Sequence, residues 1–348
     1  MNDEAAVSPR RRPTVVTLAA LAGVAPSTVS RALNGDTRIS AETRRRIGAL
    51  AAEAGYLPNA VARTLSGGRS GLVGLVLGPP DNPFYTELLH SAVVQAAQRG
   101  VRLLLLHAGA GPIEDHTAAA LLQYQVDGCL ITSAELSSKA VQICADHKVP
   151  VVMVNRIPRL HASAVACDNL HGAEALADAL LAAGHRRFAL VRGSTDTSTS
   201  LERERGFAEH VVAGGGTVVL RLPGGTTYAG GFAAGQTVAA LPAHDRPDVL
   251  FAVADIMAMG AMDAMRLAGL HAPRDISVVG FDGIASGMRE IYNLTTVAQP
   301  LAAMVGRGLD MLTARMADPS APDEVVLLRG DLIRRGSARL SPDVALSR

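Results

Sequence analysis

Two short helical patterns separated by a glycine-centred turn occupy residues 14–34. Thr14, a residue type that caps helix N-termini, precedes the first pattern, and Gly23 ends it. The second pattern runs from about Pro26 to Leu33, because proline is tolerated in the first turn of a helix. The apolar residues at helical spacing in the two patterns are Val15, Leu18, Ala19, Ala22, Val29, Ala32 and Leu33. This arrangement predicts a helix-turn-helix.

The second helix has a polar face that suits DNA. Its remaining positions carry hydroxyl, amide and guanidinium groups, on Ser27, Thr28, Ser30, Arg31 and Asn34. In a major groove an arginine can pair with a guanine edge, and small hydroxyls can reach bases or phosphates. An ordinary amphipathic helical hairpin is the alternative for these residues taken alone.

A third helix follows, capped by Ser40 and ended by Gly55, with Glu42 in its first turn. Its predicted buried stripe is formed by Ile47, Leu50, Ala51 and Ala54. The three helices together predict a headpiece, which we define as residues 14–58.

Residues 59–70 are predicted to form a hinge helix and a linker. Asn59 can begin a helix of about two turns before the glycines at 67 and 68, and isolated helices of this length are marginal in water. Val61 and Leu65 share one face, which suits packing against a second copy or insertion into a minor groove. A plain flexible linker is the alternative.

From residue 71 onward, apolar runs of strand length alternate with helical patterns of roughly 11 to 16 residues. This rhythm predicts an α/β fold with parallel sheets, and the number of units favours two doubly wound lobes with a ligand cleft between them. The candidate strands are 71–78, 101–107, 127–132, 149–154, 163–167, 187–192, 217–221, 247–253, 276–280 and 325–329, and the candidate helices include 84–99, 113–124, 137–147, 169–183 and 255–268.

Polar and aromatic residues follow several of these strands and mark the expected cleft. A guanidinium and carboxylates converging from two lobes can hydrogen-bond a small polar molecule and draw the lobes together. The alternative for each residue is a helix cap or a surface ion pair, and for Asp255 in particular a helix cap. The candidate effector-binding residues are Phe84, Tyr85, Asn155, Arg203, Asp255 and Asp282.

The formal net charge of +1 conceals an asymmetry along the 348 residues. Residues 1–70 hold 10 Lys or Arg against 5 Asp or Glu, whereas residues 71–348 hold 23 against 27. A basic DNA-binding part fits this distribution, because phosphate contacts supply much of DNA affinity. Residues 1–13 are predicted to be a disordered basic tail, whose Arg10, Arg11 and Arg12 either add phosphate contacts or are simply solvated.

Hydrophobic residues make up 48% of the chain and charged residues 19%, which is ordinary globular composition. The longest apolar runs have strand length, so no membrane span and no signal peptide is expected, and we expect a cytoplasmic protein. The cysteines are odd in number and set in apolar patterns, so neither a disulfide framework nor a zinc site is indicated. The cysteines are Cys129, Cys144 and Cys167.

Ten segments spread along the chain are typical of one known family: AGVAPSTVSRALNG, ETRRRI, GYLPNAVAR, DNPFY, VDGCLI, VPVVMVNR, GHRRFALVRG, RERGF, DISVVGFDG and TTVAQP. With them, nearly the whole chain resembles the LacI/GalR family of transcriptional regulators. By this resemblance, residues 26–34 form the recognition helix, residues 59–66 form the hinge helix, and Leu65 intercalates at the centre of the operator. Thr14 and Asn59 join the polar face of the recognition helix as DNA-binding residues.

The resemblance implies a repressor that binds double-stranded, near-palindromic operator DNA as a homodimer, although a corepressor-dependent or activating role stays open. Its affinity for DNA would be controlled by a small polar effector, a sugar or another metabolite, in a core like that of periplasmic binding proteins. The core is expected to span residues 71–348, with three crossovers between lobes. Lobe 1 is predicted as 71–161 plus 295–323, and lobe 2 as 162–294 plus 324–340.

Several positions depart from the family pattern. The usual serine cap of the recognition helix is Ala25, and two polar residues usual in the pocket are replaced by Ala254 and Gly283. The approximate positions where sugar-binding members often have an aromatic ring are Cys167, Thr226 and Leu301. We therefore expect either an effector that is not a typical hexose, or one held mainly by Arg203, Asp282 and the edge of Phe84 and Tyr85.

Two other classes of protein share parts of this pattern. An exported solute-binding protein would share the two-lobed core, but the DNA-binding headpiece argues against this class. An enzyme of the doubly wound class would need a phosphate loop, a nucleophile motif or a metal motif, and the sequence contains no GxGxxG after a strand, no GxxxxGK[ST], no GxSxG and no HExxH. The sequence therefore predicts a protein that is not an enzyme and needs no cofactor or metal.

Overall fold

The structure is a computed structural model that describes residues 13–56, 70–107, 121–132, 143–144, 146–157, 162–195 and 197–341. The chain divides into two compact units, residues 1–70 and 71–348. The predicted hinge residues Asn59 and Leu65 lie outside the described residues, as do the basic tail and most of the predicted helices 113–124 and 137–147.

The first unit contains the three predicted helices of the headpiece, α1 (Val15–Ala22), α2 (Pro26–Leu33) and α3 (Ala41–Glu53). Thr14 caps α1 by accepting a hydrogen bond from the Thr17 N–H, and Ser40 caps α3 in the same way from Thr43. At the turn after α1, Gly23 has φ +64°, a conformation that costs glycine little. The fully buried side chains Leu18, Val29 and Ile47, one from each helix, meet at the centre.

The second unit contains two six-stranded sheets covered by helices. The first sheet has the order β11-β5-β4-β3-β1-β2, and the second has the order β12-β10-β9-β8-β6-β7. All neighbouring strands are parallel except β10 and β12, which are antiparallel. The strands are β1 (Leu72–Leu77), β2 (Arg102–His107), β3 (Gly128–Ile131), β4 (Val151–Val154), β5 (Ser163–Cys167), β6 (Arg187–Arg192), β7 (Thr217–Pro223), β8 (Val249–Ala252), β9 (Ser277–Asp282), β10 (Thr295–Ala298), β11 (Val325–Leu328) and β12 (Asp331–Ile333).

The helices of this unit cover the faces of both sheets. We call the first sheet with α4 and α9 the first lobe, and the second sheet with α5 to α8 the second lobe. The helices are α4 (Pro83–Gln98), α5 (Asn169–Ala182), α6 (Ser198–Ala213), α7 (Tyr228–Ala239), α8 (Asp255–Leu267) and α9 (Leu301–Ala317), and a 3-10 helix spans Ala285–Met288. The doubly wound, two-lobed fold class predicted from the sequence is confirmed.

The predicted lobe boundaries are wrong for three strands. β5 and β11 pair in the first sheet although the sequence assigned them to lobe 2, and β10 pairs in the second sheet although it was assigned to lobe 1. The chain therefore passes to the other lobe after each of these three strands, and not before the strand as predicted. An apolar run specifies a buried strand, but backbone pairing does not depend on side-chain identity, so the run does not reveal which sheet it joins. The sequence also missed β10 and β12 as strands.

Strands and helices both supply the buried core of the second unit, and Phe207 of α6 packs against Phe188 of β6 and Phe251 of β8 in the second lobe. Cys129, Cys144 and Cys167 are buried free thiols, as predicted. In the parts of the chain that the structure describes, no single helix is long and apolar enough to cross a membrane, and only the pair α1 and α2, bent by 102°, meets that test jointly.

Candidate functional site

The exposed face of α2 carries the residues that the sequence assigned to DNA. Ser27, Arg31 and Asn34 are exposed, while Thr28 and Ser30 are half-buried. Opposite them, Val29 and Ala32 are buried against α1 and α3. The helix therefore turns one rigid face of hydroxyl, amide and guanidinium groups outward, which is the arrangement that the sequence predicted.

Two local features bear on how firmly this face is held. Ala25 precedes α2 without a side-chain cap, so the departure noted in the sequence leaves the first N–H groups of α2 uncapped by a side chain. Arg46 of α3 donates from Nη2 to the Ala22 carbonyl at 3.1 Å and ties α3 to the end of α1. Thr14 is exposed, and its hydroxyl accepts the capping hydrogen bond of α1.

The carboxyl ends of the strands in the second unit collect the other predicted residues. Phe84 and Tyr85 lie in the first turn of α4, which Asn82 caps by accepting the Phe84 N–H at 3.1 Å. The two rings are buried and meet edge to face, with centroids 5.5 Å apart. Asn155 follows β4 directly and donates its backbone N–H to the Val165 carbonyl at 2.8 Å. These three residues belong to the first lobe.

Asn155 and Asp282 both have strained backbones. Asn155 has φ +75° and Asp282 has φ +143°, which are unusual for residues with a side chain. Each stands at or just after the carboxyl end of a strand, one in the first lobe and one in the second. Such strain costs free energy and clusters at ligand-binding sites, so its presence at both residues supports the predicted cleft.

Arg203 and Asp282 form a buried ion pair in the second lobe. Arg203 Nη1 lies 2.9 Å from Asp282 Oδ1, and the two side chains are 5% and 4% exposed. Arg203 also donates from Nη1 to the Val253 carbonyl and from Nε to Asn169 Oδ1, both at 2.8 Å. Its guanidinium stacks over Phe281, 3.9 Å from the ring centroid. The guanidinium is therefore held in one orientation.

Gln299 completes this group and was missed by the sequence analysis. Its Nε2 donates to Asp282 Oδ1 at 2.7 Å from the segment that follows β10. Because β10 was not recognised as a strand, nothing marked Gln299 as lying at a strand end. The signal available was its position between an apolar run and Pro300.

Asp255 is the first residue of α8, and its carboxylate is turned inward. Its Oδ2 accepts the N–H groups of Gly283 and Ile284 at 2.7 and 3.0 Å, and its Oδ1 accepts the Thr296 hydroxyl at 2.6 Å. The side chain makes no capping hydrogen bond to α8. It is fully buried, so Asp255 holds the loop after Asp282 in place rather than facing a cleft.

The buried carboxylates have raised pKa values. Burial, together with the nearby charge of Asp282, raises the pKa of Asp255 to about 7, against the opposing effect of its three hydrogen bonds. Burial raises the pKa of Asp282 as well, while Arg203 opposes this rise. Burial also raises the pKa of the Cys167 thiol to about 11. The positive charge of Arg203 lowers this pKa, and the negative charge of Asp282 raises it. Asn169, two residues after the end of β5, accepts a hydrogen bond from Arg203 Nε at 2.8 Å, so the end of β5 in the first lobe lies close to the ion pair of the second.

The chemistry of the site is that of recognition. Two amide side chains, a carboxylate and a guanidinium lie at the strand ends, and they can bind hydroxyl and other polar groups of a small molecule. Among the described residues, no cluster of His, Cys, Asp or Glu has the arrangement of a metal site.

Comparison with known proteins agrees with this geometry. A model of the bacterial regulatory proteins of the lacI family matches residues 14–59, and one of the periplasmic binding protein-like domain matches residues 177–338. The transcriptional regulator CelR of Thermobifida fusca is 32% identical over 325 residues, which cover 89% of this chain and 95% of the relative. The ribose operon repressor of Escherichia coli K12 is 30% identical over 93% of this chain and 99% of the repressor.

Solved structures of two regulators also match almost the full length of the chain. A CelR–cellobiose complex matches with a TM-score of 0.69 and 30% identity, covering 94% of this chain and all of that one. A lac repressor dimer bound to operator shares the fold with a TM-score of 0.84 at 24% identity, covering 95% of this chain. With its helix-turn-helix, its two-lobed core and these relatives over almost its full length, the chain belongs to the LacI family of bacterial transcriptional regulators.

Proposed function

We propose that this regulator represses transcription by binding a near-palindromic operator as a homodimer, and that a small polyhydroxylated effector in the cleft of the core controls that binding. The observation that carries the proposal is the exposed polar face of α2, held by a compact three-helix core. The printed descriptions of relatives, among them a ribose operon repressor and a CelR–cellobiose complex, favour a sugar-like effector.

The residues of α2 divide by the contacts that each can make. Arg31 carries the planar donor group that pairs with guanine in a major groove. Ser27, Thr28, Ser30 and Asn34 supply shorter groups for bases or phosphates. Thr14, at the N-terminus of α1, is placed to contact a phosphate. Asn59 and Leu65 form part of a hinge helix, and Leu65 inserts into the minor groove.

The effector binds between Phe84, Tyr85 and Asn155 of the first lobe and Arg203 and Asp282 of the second. The Asp282 carboxylate and the amide oxygens accept hydrogen bonds from hydroxyl groups, while the Arg203 guanidinium donates. Asp255 acts as a positioning residue, because its carboxylate fixes the backbone of Gly283 and Ile284 immediately after Asp282. The protein carries out no catalysis and acts in the cytoplasm.

Effector and operator binding are coupled through the relative position of the two lobes. An effector that touches both lobes stabilises one lobe arrangement, and the hinge helix forms on DNA in only one of the arrangements. Coupling free energies of this kind are about 1 to 3 kcal/mol and are reciprocal, so operator DNA changes effector affinity by the same factor.

The test is fluorescence anisotropy on a library of near-palindromes with a central CpG step, at two salt concentrations, with wild type and Leu65→Ala. We expect wild type to select one family of sequences and Leu65→Ala to lose that selectivity. Sequence-blind binding by wild type that fades with salt would contradict the proposal, because phosphate contacts alone produce that behaviour.

A further inference from the structure

Three polar side chains near the cleft have buried atoms without a hydrogen-bond partner. They are Oδ1 of Asn155, Oε1 of Gln299, and both Nε and Nη1 of Arg156. Asn155 and Gln299 are only 5% and 7% exposed. Buried polar groups in folded proteins are nearly always paired, so three orphaned side chains in one region need an explanation.

These side chains lie at the same strand ends as the site described above. Asn155 and Arg156 follow β4, and the backbone N–H of Asn155 bonds to the Val165 carbonyl of β5. Two residues after β5, Asn169 accepts a hydrogen bond from Arg203 of the ion pair. Gln299 touches Asp282 directly. Arg156 reaches the hydroxyl of Tyr85 from Nη2, at 3.5 Å. The orphaned groups are therefore linked to Tyr85 in the first lobe and to Asp282 in the second.

The orphaned guanidinium is the most costly of the three. Arg156 as a whole is half-buried, but its Nε and Nη1 atoms are shielded from water, and shielded nitrogens of a charged group that find no acceptor cost free energy. Arg203 shows the contrast, since its Nε and Nη1 make three hydrogen bonds, one of them to a carboxylate. Among the residues that the structure describes, Arg156 makes one hydrogen bond, which is 3.5 Å long and goes to a neutral hydroxyl.

We propose that the effector is a polyhydroxylated acid whose anionic group binds Arg156. The shared chemistry is an anionic oxygen, from a carboxylate or a phosphate ester, that satisfies the guanidinium nitrogens left unpaired by the protein. The hydroxyl groups of the same molecule donate to Asn155 Oδ1 and Gln299 Oε1. This inference rests on the proposed effector site and assigns to it the charge of its ligand.

The first test measures thermal stability without effector. Arg156→Met removes an ion that the protein does not pair, so its melting temperature is expected to equal or exceed that of wild type. Arg203→Met, the matched control, removes a paired ion and leaves Asp282 buried alone, so its melting temperature is expected to fall by several degrees. An equal fall in both variants, or failure of both Arg156→Met and Arg156→Gln to fold, would overturn the proposal.

The second test uses inorganic phosphate as the probe, compared with chloride at equal ionic strength. Phosphate is expected to raise the melting temperature of wild type and not that of Arg156→Gln, because ligand binding to the folded state alone stabilises it. A rise of the same size in both proteins would indicate an adventitious ion only, and would count against the assignment of Arg156.

Calorimetry then identifies the source of the anionic oxygen. Aldonic and uronic acids form one arm, hexose phosphates form the second, and the matched neutral sugars form the third. An acid that binds at least about tenfold more tightly than its neutral parent, with the gain lost in Arg156→Gln, supports the proposal. Equal affinity for acid and neutral parent overturns it. Selective operator binding by both proteins, measured in parallel, would show that the regulator function stands in either case.

Discussion

Glu87 of α4 and Ala285 of the 3-10 helix join the two lobes of the core. The Glu87 Oε1 atom accepts the backbone N–H of Ala285 at 2.8 Å. Ala285 follows directly on Ile284, whose N–H the Asp255 carboxylate accepts. Among the described residues, the other hydrogen bonds between the lobes lie where the chain crosses from one lobe to the other, whereas this one joins two elements far from those crossings. The buried network of the second lobe is thus connected, through one loop, to the first turns of α4 beside Tyr85.

Replacing Glu87 by alanine should loosen this connection. The lost hydrogen bond is exposed to solvent, so we expect a cost at the low end of the usual range, about 0.5 kcal/mol, to the arrangement of the lobes. The measurement is hydrogen exchange at the Ala285 amide, whose protection should fall severalfold. Glu87→Gln is the matched control, because its amide oxygen can still accept, and it should keep most of the protection. Unchanged exchange in Glu87→Ala would contradict the role given to this contact.

The raised pKa of Asp255 makes stability depend on pH. Its usual value is 3.8 and its value in the fold is about 7. Between these values the folded protein holds a proton that the unfolded chain has released, so the free energy of unfolding falls as the pH rises from about 4 to 7 and levels off above. The raised pKa of Asp282 acts in the same direction.

Urea unfolding of wild type and Asp255→Asn between pH 4.5 and 8 tests this. The variant should have a stability close to that of wild type at low pH, because an amide, like a protonated carboxyl group, has one carbonyl oxygen that accepts and one group that donates, and its stability should depend less on pH. Asp81→Asn changes an exposed carboxylate and should keep the wild-type dependence. A full wild-type slope in Asp255→Asn would show that the pH dependence does not come from Asp255.

The positive φ of Asn155 allows function and stability to be separated. Asn155→Gly removes the strain of φ +75° and the unpaired Oδ1 atom, so we expect the melting temperature to stay level or rise. Effector affinity should fall, since one acceptor is lost. Asn155→Ala removes the same atom but keeps a Cβ, and should be about 1 kcal/mol less stable than the glycine variant. Equal stability of the two variants would show that the backbone there is unstrained.

The elements themselves were largely predictable from the sequence. The apolar spacing around Leu18, Val29 and Ile47 predicted the headpiece, because each of these side chains packs the apolar face of its helix into the common core. The strand runs were recognisable for the same reason. Which sheet β5, β10 and β11 join was not predictable, since pairing is made by backbone groups common to all residues.

The site was predicted in part. Arg203 and Asp282 were identified and do contact each other, but the inward turn of the Asp255 carboxylate depends on the backbone of Gly283 and Ile284, which no residue pattern encodes. Gln299 was missed because its strand was missed. The unpaired state of Arg156 could be recognised only from its surroundings in three dimensions.

The most direct test of the account is operator binding by the face of α2. An operator selected from the palindrome library is titrated with wild type, Arg31→Ala and Arg102→Ala. Arg102→Ala is the control, because it removes the same charge from an exposed position on β2 in the second unit. We expect Arg31→Ala to lose about 1 to 3 kcal/mol of operator affinity and to relax base choice at one position of each half-site, while Arg102→Ala binds like wild type. Equal losses in both variants, with base choice unchanged, would contradict it, because Arg31 would then contribute only charge.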